Sequence, residues 1–354
     1  MESRHELLLQ ACFGRAADSR RALAACEGIP LDAAVKQLLP FVYHKWKGFA
    51  NNSLVEAGHR AYLTTWRQNR EPLTAIREVL TGLRKEGADC MLLKGAALTL
   101  RHYRDYGLRN MGDFDVMIRP EDLERALRFL RRHGWVAEGE CGADAIVRQS
   151  RVRHVWKFSR GETEHCDLHW RPLAQCNSPK ATEMFWLGAE TADLDGLPVK
   201  VPCATDQFFH TCVHAMHWEW TPNLYWFADA LVLLGQGKVD WERAWEIARH
   251  SQTTVRFAEA VAALKARFDV RIVDLGDGGA GKWQRREFEV MQKACPLEFR
   301  DRIRWHAYHF RRLRPHDPVW KGAPVWAGFA DYLRVFLDAA NLPETARKVW
   351  AEIR

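Results

Sequence analysis

The run Met111–Ile118, MGDFDVMI, places two aspartates one residue apart at the mouth of an apolar strand. Acidic residues are poor strand formers, and carboxylates buried together without partners are costly to strip of water. A chain with this pattern must supply something that neutralises the pair. Successive strand side chains point to opposite faces, so Asp113 and Asp115 share one side while Phe114 and Val116 share the other. Along a strand the two aspartates stand about 7 Å apart, near enough for one divalent cation to touch both. Mg²⁺, a hard ion that takes oxygen ligands, fits that role.

A lone Asp-x-Asp is common in surface turns, so its surroundings have to single it out. Upstream, ADCMLLKGAALTL reads as a short buried strand, a tight turn of small residues and a helix start. Gly95 and Ala96 in that turn allow close backbone approach, and the free N–H groups of a helix start suit a phosphate. Arg109 stands just before the acidic strand, where a guanidinium meets phosphate oxygens well. Lys94 is placed either to balance charge on the β and γ phosphates or to point into water from the strand edge. Downstream, HCDLHW carries Asp167 on a further strand, on the face shared with His165 and His169. A neighbouring strand lies about 4.8 Å away, so Asp167 can complete a triad of carboxylates. Such a triad is what a pair of ions about 3.5–4 Å apart requires when it stabilises the attacking and leaving oxygens of an in-line displacement at phosphorus.

The rest of the chain frames this segment. Residues 1–88 read as helical, with apolar residues at three- and four-residue spacing in HELLLQACF, LDAAVKQLLPFVYHKW and EPLTAIREVLTGLRKEG, and Gly87 as a C-cap. From 89 to about 173 the pattern is αβ. DFDVMIRP is a strand stopped by Pro120; PEDLERALRFLRRHG is a helix with acids at its start, bases in its last turn and Gly134 behind it; WVAEG, HVWKFSR and EHCDLHWRP are further strands. From about 203 helices return. The spacing therefore predicts an α+β fold with a mixed sheet between helical regions, divided at 1–88, 89–202 and 203–354.

LLKGAAL, YGLRNMGDFDVMI and HCDLHW, in that order, resemble the DNA-polymerase-β-like nucleotidyltransferases, and most closely the bacterial uncharacterised nucleotidyltransferase family. FFHTCVHAMHWEW and LYWFADALVLL, with a histidine followed later by W-x-x-D, are similar to that family's downstream helices, so the resemblance spans roughly 35–280. It implies a small polymerase-β-like palm over 89–202, with a cleft between its acidic face and the C-terminal helices. It implies an enzyme that moves a nucleoside monophosphate, AMP by default, from an NTP to a hydroxyl-type acceptor with release of pyrophosphate. Asp113 and Asp115 would match the metal-binding pair. Asp167 would match the third carboxylate, which binds the catalytic metal and helps deprotonate the attacking hydroxyl. The cofactor would be two Mg²⁺ ions, with Mn²⁺ as a substitute. Gly95 and Ala96 would match the turn that holds the triphosphate, although Ala96 departs from the serine common in the superfamily and lacks its hydroxyl. The acceptor stays open among a small molecule, a sugar, a peptide or protein side chain, and an RNA end. A nucleotide- or partner-binding module of the same fold without turnover is the competing reading.

Composition narrows the field. With 52 Lys and Arg against 45 Asp and Glu, a net charge of +7 and a pI near 9.0, the chain suits an anionic substrate and permits RNA without demanding it. Nine scattered cysteines form no CxxC, which points to reduced thiols in a cytoplasmic protein. MESRHELLLQACFG lacks the apolar core of a signal peptide, and no window approaches the roughly 20 apolar residues of a membrane span.

Three further groupings bear alternatives. His210, His214 and His217 share a helical face, either as a transition-metal site of a metallohydrolase or as structural residues; His214 can also line the nucleotide pocket. Asp229, inside an apolar helix, is a packing residue or part of the acceptor site. FRDRIRWHAYHFRRLRP, 299–315, either grips a polyanion or forms an amphipathic helix whose arginines lie over core aromatics. GDGGAGKW, 276–283, lacks phosphate-loop spacing and reads as a surface loop.

Overall fold

The computed structural model describes residues 3–49, 52–216, 223–270, 273, 281–292 and 298–353. The fold is α+β, as the sequence pattern predicts. Seven strands form one sheet: β1 Cys90–Leu93, β2 Phe114–Ile118, β3 Val136–Ala137, β4 Val155–Arg160, β5 Glu164–His169, β6 Glu190–Leu194 and β7 Leu197–Val201. Their order is β3-β4-β5-β2-β1-β7-β6. The sheet is mixed: β2 runs parallel to β5 and β1 parallel to β7, and the other neighbours are antiparallel.

The αβ pattern seen from 89 to about 173 extends further, because β6 and β7 form a hairpin at the sheet edge beside β1. Its turn, Asp195-Gly196, has φ of 47° and 85°, the left-handed pair that a two-residue hairpin turn needs.

Central strands buried on both faces become continuous apolar runs. On one face Cys90, Leu92, Phe114, Val116, Ile118, Cys166 and Leu168 pack beneath the helices Leu73–Lys85 and Leu123–Arg132. Gly87 and Gly134 stop those helices with φ of 79° and 78°, as their positions predict. On the other face Met91, Leu93 and Met117 join a core shared by helices from both flanks of the sheet, including Ala33–Trp46, Ala204–Ala215 and Tyr225–Gly235. The Gln10 side chain donates to the Arg267 carbonyl at 2.6 Å, and Gln37 accepts from the Leu224 N–H at 2.7 Å. The acidic positions of β2 and β5 belong to this second face.

The Arg-rich segment forms the helix Phe299–Leu313 and the turn after it, and three of its arginines face protein. Arg312 is buried against Glu287 and donates to the carbonyls of Ser251 and Gln252. Arg314 donates to the carbonyls of Trp320 and Ala323, and Arg311 stacks on Trp283 at 5.0 Å. The amphipathic reading describes these residues. Phe310, Leu313, Trp320, Tyr332 and Val335 form a third core with Val152.

Two consequences of this packing can be measured. A Cβ at Gly82 would fall on the Phe129 ring. Gly82→Ala is therefore expected to lower stability by about 1–3 kcal/mol, read as a lower urea midpoint at unchanged m-value. His306 and His309 are buried, and burial pushes both down to about 4. The unfolded chain, with histidines near 6.5, takes up these protons first. Their contribution is thus intact above pH 6.5 and lost as pH falls toward 4. Urea midpoints should fall across that window. His309→Gln, which keeps a donor for the Val152 carbonyl 2.9 Å away, should flatten the fall.

Candidate active site

β2 and β5 run parallel in a register that sets Asp115 directly beside Asp167 and Met117 beside His169. Period-two alternation then brings Asp115, Asp167 and His169 to one face. One donor atom from each lies within 4.8 Å of the others, and all three residues are buried. His169 Nε2 meets Asp115 Oδ1 at 2.9 Å. Asp113 stands one step before β2, exposed at the rim, outside that tight group but on the same side of the chain. A cavity of about 410 Å³ opens there, bordered by Asp113, Lys157, Ser159, His165 and Asp167.

Lys94 closes the cluster. It follows β1, whose last residue Leu93 pairs with Asp115. Its φ of 46° is a left-handed conformation that costs a non-glycine residue about 1–3 kcal/mol. The ammonium lies 2.5 Å from Asp115 Oδ1. Of the two places the sequence leaves open to Lys94, the structure shows it turned onto the carboxylate rather than out into water.

The charges sort accordingly. Burial pushes the Asp115 carboxyl up, but Lys94 and the His169 hydrogen bond outweigh it and hold the group well below the usual carboxylate range. Burial and the neighbouring Asp115 push Asp167 up to about 7, and the same two causes raise Asp113. Burial and Lys94 lower His169. The arrangement holds one firmly ionised carboxylate beside Asp167, which resists ionising without further positive charge. Oxygen donors from Asp113, Asp115 and Asp167 fit a hard divalent cation.

The predicted phosphate turn adjoins this cluster. Gly95 and Ala96 open the short helix Lys94–Leu98 and are buried. The Arg109 guanidinium lies directly over Gly95, where any Cβ would collide with it. Arg109 is fixed from several sides. Its Nε contacts both Asp229 oxygens at 2.9 and 3.1 Å, and the Tyr225 ring lies 5.3 Å away. The Tyr103 hydroxyl donates to Asp229 at 2.7 Å. Asn69, fully buried, donates to the carbonyls of Tyr106 and Arg109 and accepts from the Met111 N–H, pinning the chain that leads into β2. Asp229 is thus a buried packing residue, and what it holds is Arg109.

The histidine helix faces the same region. His210 Nε2 lies 3.0 Å from the Pro172 carbonyl, which accepts its N–H, and its ring stacks on His214 at 5.8 Å. His217 lies outside the described residues. Among the described residues the tight cluster of metal-capable groups is Asp115, Asp167 and His169, without His210 or His214.

A comparison with protein families matches residues 33–269, well over half of the chain, to the family described as uncharacterised nucleotidyltransferase. The chain belongs to that family. It is a nucleotidyltransferase enzyme, with an NTP as the substrate that its family implies. Comparisons with curated proteins and with solved structures gave no match. No helix among the described residues is long and apolar enough to cross a membrane.

The part of the nucleotidyltransferase site least visible in its sequence is the support behind Arg109. Asp229→Asn keeps the shape of the carboxylate and removes its charge. It should weaken NTP binding about tenfold, while circular dichroism stays unchanged. An unaltered nucleotide Kd would show that Arg109 holds its place, or has no phosphate to meet, without Asp229.

Proposed function

We propose that this nucleotidyltransferase moves a nucleoside monophosphate, AMP by default, from an NTP to a hydroxyl-type acceptor, and that Asp113, Asp115 and Asp167 hold the divalent ions of the reaction, Mg²⁺ or Mn²⁺. The observation that carries this reading is the register of β2 against β5, which sets Asp115 beside Asp167 with His169 and Lys94 closed around them. Bound ions would supply positive charge to the attacking and leaving oxygens.

The chain's own groups do the positioning. Gly95 and Ala96 form the turn that would meet the triphosphate, and Arg109, held by Asp229, lies over that turn. Asp167 borders the cavity beside β4, where it can accept the proton of an incoming hydroxyl. Lys94 keeps Asp115 ionised, and where bound ions supplied that charge it would be free to meet the phosphates. His214, on the neighbouring helix, borders the nucleotide. The acceptor is a small molecule, a sugar, or a peptide or protein side chain. The division at 88 and 202 belongs to the same proposal, with residues 89–202 as the palm.

Incubation with each labelled NTP, Mg²⁺ or Mn²⁺ and a cell extract, followed by mass analysis, should yield pyrophosphate and an acceptor heavier by one nucleoside monophosphate. Asp115→Asn should reduce turnover about 100-fold or more with the fold retained by circular dichroism. Retained activity in that variant would rule out the carboxylate scheme.

A further inference from the structure

A groove of about 850 Å³ lies among the C-terminal helices, bordered by Trp283, Phe310, Arg311, Arg314, Trp326 and Phe329. These residues come from the helices Lys282–Met291, Phe299–Leu313 and Val325–Phe336, with Arg314 just past the second. The groove shares no bordering residue with the cavity beside Asp113 and Asp167. Its volume falls within the ~300–1,000 Å³ usual for ligand pockets.

Apolar surface is concentrated around this hollow. The Phe310 and Phe329 rings meet at 5.6 Å. Trp326 and Val325, which also border the groove, are 77% and 61% exposed. Large apolar side chains scattered singly over a surface are ordinary, but several gathered at one concave place mark a site of binding. The charges there are one-sided. Two arginines border the groove, and among the described residues no aspartate or glutamate does. Arg314 gives N–H groups to the carbonyls of Trp320 and Ala323 and pairs with no carboxylate among the described residues. Arg311 is exposed and rests on the Trp283 ring, 5.0 Å from its centre, with no hydrogen bond or ion pair among the described residues. Three positions apart on a helix, the two arginines share a face, with Cβ atoms about 5–6 Å from each other.

We propose that this groove binds an amphiphilic carboxylate, its alkyl or aryl body against the Phe310, Phe329 and Trp326 rings and its carboxylate at Arg311 and Arg314. The planar guanidinium of Arg311, with its N–H groups unspent, matches a carboxylate in shape and charge. The concave form takes a free molecule rather than the flat surface of a lipid bilayer.

The test uses the full chain, with decanoate and 1-naphthaleneacetate as probes, each below its micelle threshold, and 1-naphthaleneacetamide, decyltrimethylammonium and acetate as controls. Binding is read by titration calorimetry and ligand-observed NMR. At least one of the two carboxylates should bind saturably with one site per chain, and more weakly as salt is raised. The amide and the cation should bind about fivefold more weakly than the carboxylate of the same body, and acetate, which has no body, should not saturate. Arg311→Gln should weaken the carboxylate about threefold to tenfold and leave the amide unchanged. Trp326→Ala should weaken acid and amide alike, about fivefold. Both side chains are exposed, so urea midpoints should hold, and either variant serves if the other fails to fold. Absence of saturable binding by both carboxylates would overturn the proposal, as would equal affinity for acid and amide, or undiminished carboxylate binding to a folded variant. Binding to phosphatidylglycerol vesicles that Trp326→Ala abolishes would assign the groove to a lipid surface and overturn it as well.

Discussion

Asp115 lies in the middle of a seven-stranded sheet with 2% of its surface exposed. A solitary carboxylate in such a place would have to take up a proton or admit water. The fold instead surrounds it with groups from the two strands beside it. The ammonium of Lys94 comes from the end of β1, the imidazole of His169 from β5, and Asp167 from the facing position of the same strand. Removing one partner of a buried pair typically destabilises a protein by about 3–5 kcal/mol, because the other charge is left behind. The register of the three central strands and the left-handed turn at Lys94 are therefore set by electrostatics as much as by apolar packing. The same arrangement leaves Asp113 and Asp167 short of positive charge, which is the condition under which a site attracts a cation.

A second buried ion pair, Arg109 with Asp229, ties this centre to the helices. The π-helical turn Thr99–Tyr103 carries Tyr103 to the same carboxylate, and turns of this kind often occur where function requires an irregular helix. Asn69 supports the neighbouring backbone from a helix before the sheet. The turn at Gly95 is thus assembled from a strand end, a preceding helix and a following one. A side chain at Gly95 would have to displace the Arg109 guanidinium from the place where Asp229 holds it.

Much of this was legible from residue types. Alternation along DFDVMI and HCDLHW gave the shared face of Asp113, Asp115 and Asp167, because a half-polar strand in an apolar segment admits few readings. His169 was visible on that face, yet nothing in the spacing said that its ring would meet Asp115 rather than the core. Asn69 left no trace, since an asparagine in the last turn of an amphipathic helix looks like any solvent-facing residue until the distant backbone it holds is known. The pairing of Arg109 with Asp229 spans 120 positions and is likewise invisible locally. The hairpin of β6 and β7 has a local signal of its own: Asp195-Gly196 between alternating segments is a strong turn signal, although Pro198 inside the second strand obscures it.

The core beneath the acidic face draws on helices that precede the sheet and on helices that follow it. During synthesis, β1 and β2 leave the ribosome long before the helix that carries Asp229. At roughly 5–20 residues per second, the 120 residues between Arg109 and Asp229 correspond to about 6–24 s in which the nascent site lacks its counter-ion and half of its roof. Contacts this distant in sequence also form slowly once the whole chain is present. Over that interval the second face of the sheet, with Met91, Leu93 and Met117 on it, has only its earlier helices for cover.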